Sequence, residues 1–170
     1  MRVQLVSETT LKKLTLINDN VDVCYIGPAI EKAQDMGLQP LIGTRLFDKL
    51  CQLVADKNIG SADNLAYKTL LDDYITPYLC QRVMADIQVP LFAKIRNAGI
   101  VQSQDQQTQQ LTKGDVDYIR ADYEYNATFY GKRLTEYLCA NSTKYPEWRT
   151  RRDVSDMPSD ADSYNTSIVL

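Results

Sequence analysis

The sequence contains no histidine, no long apolar run and no strong excess of charge of either sign. Without histidine the chain lacks the commonest general base and one of the usual zinc ligands. No apolar run approaches the roughly 20 residues that a membrane-spanning helix needs, so we expect no contact with a membrane. A formal net charge of −3 predicts no broad basic surface for nucleic acid. The first ten residues lack the apolar core of a secretory signal. These absences favour a soluble protein.

Cysteine is scarce, and no two cysteines form a CxxC pair. The four are Cys24, Cys51, Cys80 and Cys139. Each falls in a predicted helix among apolar neighbours. This predicts reduced thiols packed in a core rather than a disulfide framework or a zinc site.

The carboxylates form no strong catalytic or metal-binding set. Asp72 and Asp73 are adjacent, so they point to different sides of a helix. Asp115 and Asp122 could share a metal, but two carboxylates are fewer ligands than metals require. No phosphate loop, dinucleotide fingerprint or nucleophile elbow occurs. We therefore predict a protein that is not an enzyme and that has no metal and no cofactor.

Residues 22–54 predict two helices, because apolar side chains recur at spacings of three and four in two runs. Gly37 and Pro40 are expected to end the first helix, and Thr44 to cap the second. Two apolar faces on so short a link predict an antiparallel helical hairpin. The apolar positions are Ile26, Ala29, Ile30, Ala33 and Met36, followed by Leu46, Phe47, Leu50, Leu53 and Val54.

The segment before this hairpin predicts a short extended stretch and a short helix. Ser7 is expected to cap that helix, with Leu11 and Leu14 on its inner face. Asp22 is the expected cap of the next helix. In that helix Pro28 is compatible with a bend, or with a regular helix that begins near Gly27.

A helical pattern resumes at Leu65 and contains two prolines. Thr76 is expected to cap a fresh helix whose first residue is Pro77. Pro90 is expected to kink the following helix, which should run until Gly99.

Residues 99–112 are glutamine-rich and have almost no apolar periodicity. They predict either a solvated loop or a protruding β-hairpin with its tip near residues 105–108. A hairpin with so little core of its own would need a partner surface.

The longest helix is predicted from Asp115 to about Ala140, with one seam packed on the helical hairpin. Tyrosines suit a surface that is partly buried and partly wet. The seam consists of Val116, Tyr123, Tyr130 and Tyr137 at spacings of seven, together with Ala127, Leu134 and Leu138.

The character of the chain changes after Asn141. Residues 145–148 (Tyr-Pro-Glu-Trp) precede a segment, 149–170, with no helical period. Such a segment is expected to be disordered or to lie in a groove on another subunit. Its arginines are followed at once by aspartates, so local charge nearly cancels and nucleic-acid binding is not predicted.

The order of these elements resembles that of the head–tail connector (adaptor) proteins of tailed bacteriophages, especially crAss-like phages of Bacteroides. The resemblance covers roughly residues 7–148. Its most particular motif is Ala33-Gln34 followed by Leu41-Ile42-Gly43-Thr44-Arg45-Leu46-Phe47-Asp48-Lys49-Leu50.

The resemblance implies a ring, commonly of twelve copies, that docks below the portal protein, meets adjacent tail or ring proteins and prolongs the DNA channel. It implies transient, non-specific proximity to genomic DNA, and a virion component assembled in the host cytoplasm. The alternative is a cytosolic helical module that docks one partner through its tail.

Taken together, the sequence predicts a mainly α protein. It should form an antiparallel bundle of four to five helices over residues 1–148, with a hairpin or loop insertion at 99–112 and an extended arm at 149–170. The candidate partner-contacting residues are Ile100, Val101, Asp105, Gln106, Leu111, Trp148, Arg149, Arg151, Arg152, Tyr164, Ile168, Val169 and Leu170.

Overall fold

The chain is mainly helical, as predicted. The computed structural model describes residues 3–17, 21, 23–96, 99–102 and 112–148. Its helices are α1 (Glu8–Leu14), α2 (Val23–Lys32), α3 (Gln39–Ile42), α4 (Thr44–Ala55), α5 (Leu65–Leu70), α6 (Thr76–Phe92) and α7 (Lys113–Ala140). Its strands are β1 (Ala93–Arg96) and β2 (Gly99–Gln102), and π-helical turns span Ala33–Leu38 and Leu71–Ile75. Short 3₁₀ turns occupy Ala62–Asn64, Ser142–Lys144 and Pro146–Trp148.

Helix α6 is the centre of the core. Helix α7 packs along it, and α2 and the first π turn pack against it as well. Leu79, Val83 and Ile87 of α6 are fully buried. The predicted antiparallel pair of α2 and α4 is wrong, since α2 packs chiefly on α6 while α4 packs on α3 and on Pro146–Trp148. Additional helical turns separate α2 from α4, so the link between them is not short.

Most of the predicted apolar faces are buried. The exceptions are Met36 and Leu14, which are exposed, and Val54, which is half-buried. Met36 lies in a π turn, where the backbone carries more residues per turn, so spacings counted for an α-helix no longer apply. The confirmed positions are Leu11, Ile26, Ala29, Ile30, Ala33, Leu46, Phe47, Leu50 and Leu53.

The first long helical run ends at Gly43, not at Gly37. Gly43 has a φ of 77°, which a residue with a side chain rarely adopts. Thr44 is therefore the first residue of α4 rather than its cap. Gly37 is helical and serves close packing, because a Cβ there would lie 2.8 Å from the hydroxyl oxygen of Tyr78.

Each π turn ends two residues before a proline. Pro40 follows Ala33–Leu38, and Pro77 follows Leu71–Ile75, with one helical residue in between. Proline has no N–H and crowds the carbonyl four residues earlier, and the wider π turn relieves that clash without breaking the helix. Thr76 is accordingly helical (φ −58°, ψ −49°) and caps no new helix.

The other prolines lie inside α-helices. Helix α2 begins at Val23, so a start near Gly27 is wrong, and Pro28 sits within the helix. Helix α6 continues through Pro90 but stops at Phe92, well before the predicted Gly99.

The chain passes from α6 into an antiparallel strand pair. Ile95 lies opposite Ile100, and Lys94 lies opposite Val101. Strand β2 pairs with the residues before it, and the predicted tip at residues 105–108 lies outside the described part of the chain. Residues 103–111 and the predicted cap Asp22 lie outside the described part of the chain.

The N-terminal segment is fixed by one cap and one buried glutamine. The Ser7 side chain accepts a hydrogen bond from the Thr10 N–H (3.1 Å), which confirms the predicted cap. Gln34 is buried, and its Oε1 accepts from the Leu5 N–H (2.7 Å) while its Nε2 donates to the Val3 carbonyl (3.1 Å). Residues 3–5 are thereby held against the first π turn.

The thiols are only partly core residues. Cys80 is buried, and burial raises the pKa of its thiol to about 11. Cys51 is half-buried, whereas Cys24 and Cys139 are exposed, so the predicted core role is wrong for those two. The four cysteines, all of them described, form no disulfide.

Candidate functional site

Helix α7 presents three large aromatic side chains on the face opposite its core contact. Tyr118, Tyr125 and Phe129 are 79%, 75% and 60% exposed. At about 100° per residue they fall within about 40° of one another around the helix axis. We call these three residues the aromatic stripe. Exposed aromatics grouped on one face are typical of interaction surfaces.

The stripe faces outward because the opposite face of α7 packs against the core. The residues of the predicted seam are buried or half-buried, but the seam packs chiefly on α6 and not on the predicted helical hairpin. Gly131 belongs to the same face, where a Cβ would lie 3.2 Å from the Tyr78 ring. With the packed side fixed in this way, residues 118, 125 and 129 must face outward.

The N-terminus of α7 is closed by a capping box. The Thr112 side chain accepts from the Asp115 N–H (3.3 Å), and Asp115 Oδ2 accepts from the Thr112 N–H (2.9 Å). Hydrogen bonds from the Thr112 hydroxyl and N–H lower the pKa of the Asp115 carboxyl. The helix starts at Lys113, so Asp115 is its third residue rather than its first.

A cleft of about 410 Å³ opens between α2, the end of α6 and the N-terminal half of α7. Its lining is largely apolar, with ionic groups at one side. The lining residues are Cys24, Tyr25, Pro28, Ala29, Lys32, Ala85, Asp86, Val89, Pro90 and Arg120. We call it the α2–α6 cleft. Its volume and mixed lining fall within the range of about 300–1,000 Å³ seen for sites that take side chains or small ligands.

Asp86 is the one buried acid among the described residues, and it organises the ionic side of the cleft. Its Oδ1 accepts from Lys32 Nζ (2.7 Å), and its Oδ2 lies 3.3 Å from Arg82 Nε. The Asp86 side chain is only 3% exposed, yet its Oδ2 accepts no hydrogen bond from the described residues. Nearby, Arg120 pairs with Glu124 (2.9 Å) at the surface. The group thus has three cations and two carboxylates.

A cluster of tyrosines lies at a separate place in the fold. Tyr74 stacks on Tyr137 with ring centroids 3.9 Å apart, and Tyr145 meets Tyr67 edge to face at 5.5 Å. The Tyr145 hydroxyl donates to the Ala66 carbonyl (2.8 Å). With Trp148 these four tyrosines form what we call the anchor, which fixes residues 142–148 to the body.

Burial raises the pKa of two of the anchor hydroxyls. Burial raises the pKa of Tyr67, and the hydrogen bond that Tyr67 donates to Glu147 (2.8 Å) raises it further. Burial also raises the pKa of Tyr145, with a further contribution from its contact with Tyr137. The anchor is thus a hydrogen-bonded aromatic network that joins residues 145–148 to the rest of the fold.

The structure places only three of the predicted partner-contacting residues. Ile100 and Val101 lie in β2. Trp148 is 3% exposed and packs in the core, so its predicted place at a partner surface is corrected. The others lie outside the described residues: Asp105, Gln106, Leu111, Arg149, Arg151, Arg152, Tyr164, Ile168, Val169 and Leu170.

Sequence reasoning missed both the stripe and the cleft. The signal for the stripe was available, since residues 118, 125 and 129 lie seven and four apart on the side away from the seam. The cleft gave no comparable signal, because Lys32 and Asp86 are 54 residues apart.

The described residues contain no group of three or more Cys, Asp or Glu side chains suited to a metal. Asp115 is engaged by Thr112, and Asp122 accepts from Asn126 (3.4 Å). Over the same part of the chain, no helix is long and apolar enough to cross a membrane.

Comparison with known proteins gives one match. Residues 38–156 match DUF6712, a family of unknown function. The match includes the whole of α7 with its stripe, and the parts of the cleft that α6 and α7 contribute. No curated protein and no solved structure matches the chain. Because the match covers more than half of the sequence, the chain belongs to the DUF6712 family.

Proposed function

We propose that this protein is a structural subunit of a head–tail connector (adaptor) ring in a tailed bacteriophage. In this role it would join copies of itself and the portal protein, meet adjacent tail or ring proteins, and extend the DNA channel. It would have no catalytic function. The resemblance of element order and of the motif at residues 33–50 suggests the connector role.

The observation that carries the proposal is the aromatic stripe. A protein that works alone gains nothing from three large aromatic side chains on the outer face of its longest helix. Burying such side chains between subunits removes apolar area from water and stabilises the assembly. A ring needs this contact, because each subunit must bind the next through a face that differs from the one it receives.

The insertion at residues 99–112 and the C-terminal segment at residues 149–170 add to this argument. In the proposal, residues 99–112 reach a neighbouring protein, and residues 149–170 form an arm that docks on the portal or on an adjacent subunit. The anchor supports such an arm, because it would hold the start of the arm at residue 148 while later residues engage a partner. A mildly acidic chain also suits a channel through which DNA slides without binding.

Electron microscopy and co-purification test the proposal. The full chain, expressed with the portal protein of the same phage, should assemble into rings and co-purify with it. Mass spectrometry of purified virions should find the chain in stoichiometric ratio to the portal. Strictly monomeric behaviour in the presence of portal and tail proteins, with no copies in virions, would contradict the proposal.

A pair of variants makes this test specific for the stripe. Tyr125→Arg places a charge in the stripe, and we expect it to abolish rings while the helical content stays unchanged. Leu65→Arg changes another exposed side chain away from α7, and it should leave assembly intact. A one-to-one complex with a single cytosolic partner, insensitive to Tyr125→Arg, would instead favour a helical binding module.

A further inference from the structure

The aromatic stripe and the α2–α6 cleft lie on opposite sides of α7. Arg120, which lines the cleft, comes two residues after Tyr118 and therefore lies about 200° around the helix from it. A subunit can thus offer its stripe in one direction and its cleft in another. Two different faces on one subunit are what a closed ring requires, whereas a two-fold dimer uses one face twice.

The two surfaces are complementary in shape and in polarity. The stripe is convex and aromatic, and the cleft is concave with an apolar lining that includes Pro28, Val89 and Pro90. Val89 is 46% exposed, so this lining is open to solvent in the single chain. A cleft of about 410 Å³ has room for aromatic side chains.

The charges beside the Tyr118 end of the stripe are opposite in sign to the net charge of the ionic groups of the cleft. The end of the stripe near Tyr118 is flanked by three exposed carboxylates, those of Asp115, Asp117 and Asp122. The cleft carries Lys32 and Arg120, whose side chains remain 48% and 41% exposed although each has an acidic partner. With Arg82, these cations outnumber Asp86 and Glu124. Such complementarity orients encounters between surfaces.

We propose that the stripe of one copy docks into the α2–α6 cleft of the next copy. Tyr118 and Tyr125 pack against Pro28, Val89 and Pro90, and the carboxylates beside Tyr118 approach Lys32 and Arg120. The inference rests on the proposed ring, and it assigns the subunit contact within it.

The native Cys24 provides a cross-linking test, because it is exposed and lines the cleft. Ala121 lies between Tyr118 and Tyr125 on α7 and is exposed, so Ala121→Cys adds a thiol beside the stripe and leaves the aromatics intact. Ala121→Cys and its control would both carry Cys139→Ser, which removes the other exposed thiol. The matched control is Ala62→Cys, an exposed alanine outside both surfaces.

With a short bifunctional maleimide, Ala121→Cys should give a ladder of dimers, trimers and longer products. The ladder should vanish when Cys24→Ser is added, and it should be absent from the Ala62→Cys control. No ladder above that control would overturn the pairing. If Ser167→Cys cross-links to Cys24 and Ala121→Cys does not, the cleft is occupied by the C-terminal segment. That result would also overturn the pairing.

A mixing experiment separates this contact from the ring itself. Tyr125→Arg disables the stripe and Val89→Arg blocks the cleft, and each should weaken self-association at least about tenfold, as expected for central interface residues. Mixed together they should form one-to-one dimers and nothing longer, because one intact stripe meets one intact cleft. If both variants still form rings, the stripe–cleft contact is wrong while the connector ring stands. If the wild-type chain forms no ring with its portal, the connector proposal fails. The cross-linking result then decides by itself whether the stripe–cleft contact exists.

Discussion

The anchor and the α2–α6 cleft both combine aromatic or apolar groups with polar ones, but they complete their contacts differently. In the anchor, the hydroxyls of Tyr67 and Tyr145 find Glu147 and the Ala66 carbonyl within the chain. In the cleft, one carboxylate oxygen of Asp86 accepts no hydrogen bond from the part of the chain that the structure describes, and apolar side chains remain open to solvent.

The contrast separates two uses of the same kinds of residue. Hydroxyls that are hydrogen-bonded within the chain are suited to hold a segment in place. An apolar cleft that is open to solvent is suited to receive a group from outside, because binding then removes apolar area from water. Two of the four predictions that follow test this distinction, and the other two test the packing on α6 and the cap of α7.

The largest effect is expected in the anchor. Trp148→Ala removes a buried indole and should lower the free energy of unfolding by about 3–5 kcal/mol. Phe129→Ala, on the stripe, should change it by no more than about 0.5 kcal/mol in the single chain. Urea unfolding followed by circular dichroism measures both values. Equal losses would show that the stripe is also packed within the chain.

The next effect concerns the stability that the cleft itself contributes. Asp86→Ala removes the buried partner of Lys32 and Arg82 and should cost about 1.5–3 kcal/mol. Glu124→Ala breaks the surface pair with Arg120 and should cost less than about 1 kcal/mol. The same unfolding measurement decides. If Asp86→Ala were neutral, the cleft would have no role in folding.

A smaller effect tests the packing that connects the two regions through α6. Gly37→Ala would push against the hydroxyl of Tyr78 and the Cγ of Arg82, at 2.8 Å and 3.3 Å. Overpacking of this kind costs about 1–3 kcal/mol, and the better helix propensity of alanine offsets part of it. Tyr78→Phe removes the obstructing oxygen, so the double variant should lose less stability than the sum of the two single variants. Strict additivity would mean that the two residues do not meet.

The smallest effect depends on pH and lies at the start of α7. Because the folded pKa of Asp115 is lowered, its contribution is present above the unfolded pKa of about 3.9 and is lost as pH falls through the folded value. Asp115→Asn should make the free energy of unfolding depend less on pH over this acidic range. Thr112→Ala should reduce stability at neutral pH by about 1 kcal/mol. An unchanged acid limb in Asp115→Asn would contradict the capping box.

Much of the helical core could be predicted because it depends on local pattern. Spacings of three and four identified the buried faces of α2, α4 and α7, and Ser7 was recognised as a cap. The failures occur where the helix departs from the α period. Both π turns depend on the position of a later proline, and the spacing rule assumed that such a proline would end the helix. Met36 and Gly37 were misplaced for this reason.

The stripe shows a different limit. Tyr123, Tyr130 and Tyr137 repeat every seven residues, and so do Tyr118 and Tyr125. Spacing alone does not distinguish them, and only the aliphatic neighbours of the first set mark it as the buried one. The ionic side of the cleft could not be predicted from the sequence, because it joins residues from distant parts of the chain.

The side chain of Gln34 makes the two hydrogen bonds that a residue of a neighbouring β-strand would make. Its amide accepts from the Leu5 N–H and donates to the Val3 carbonyl, the two groups that a residue of a parallel neighbour would bond. An extended segment can therefore rest on a helical surface with its peptide groups paired. A single helical residue thus takes the place of one residue of a partner strand along one edge of the extended segment.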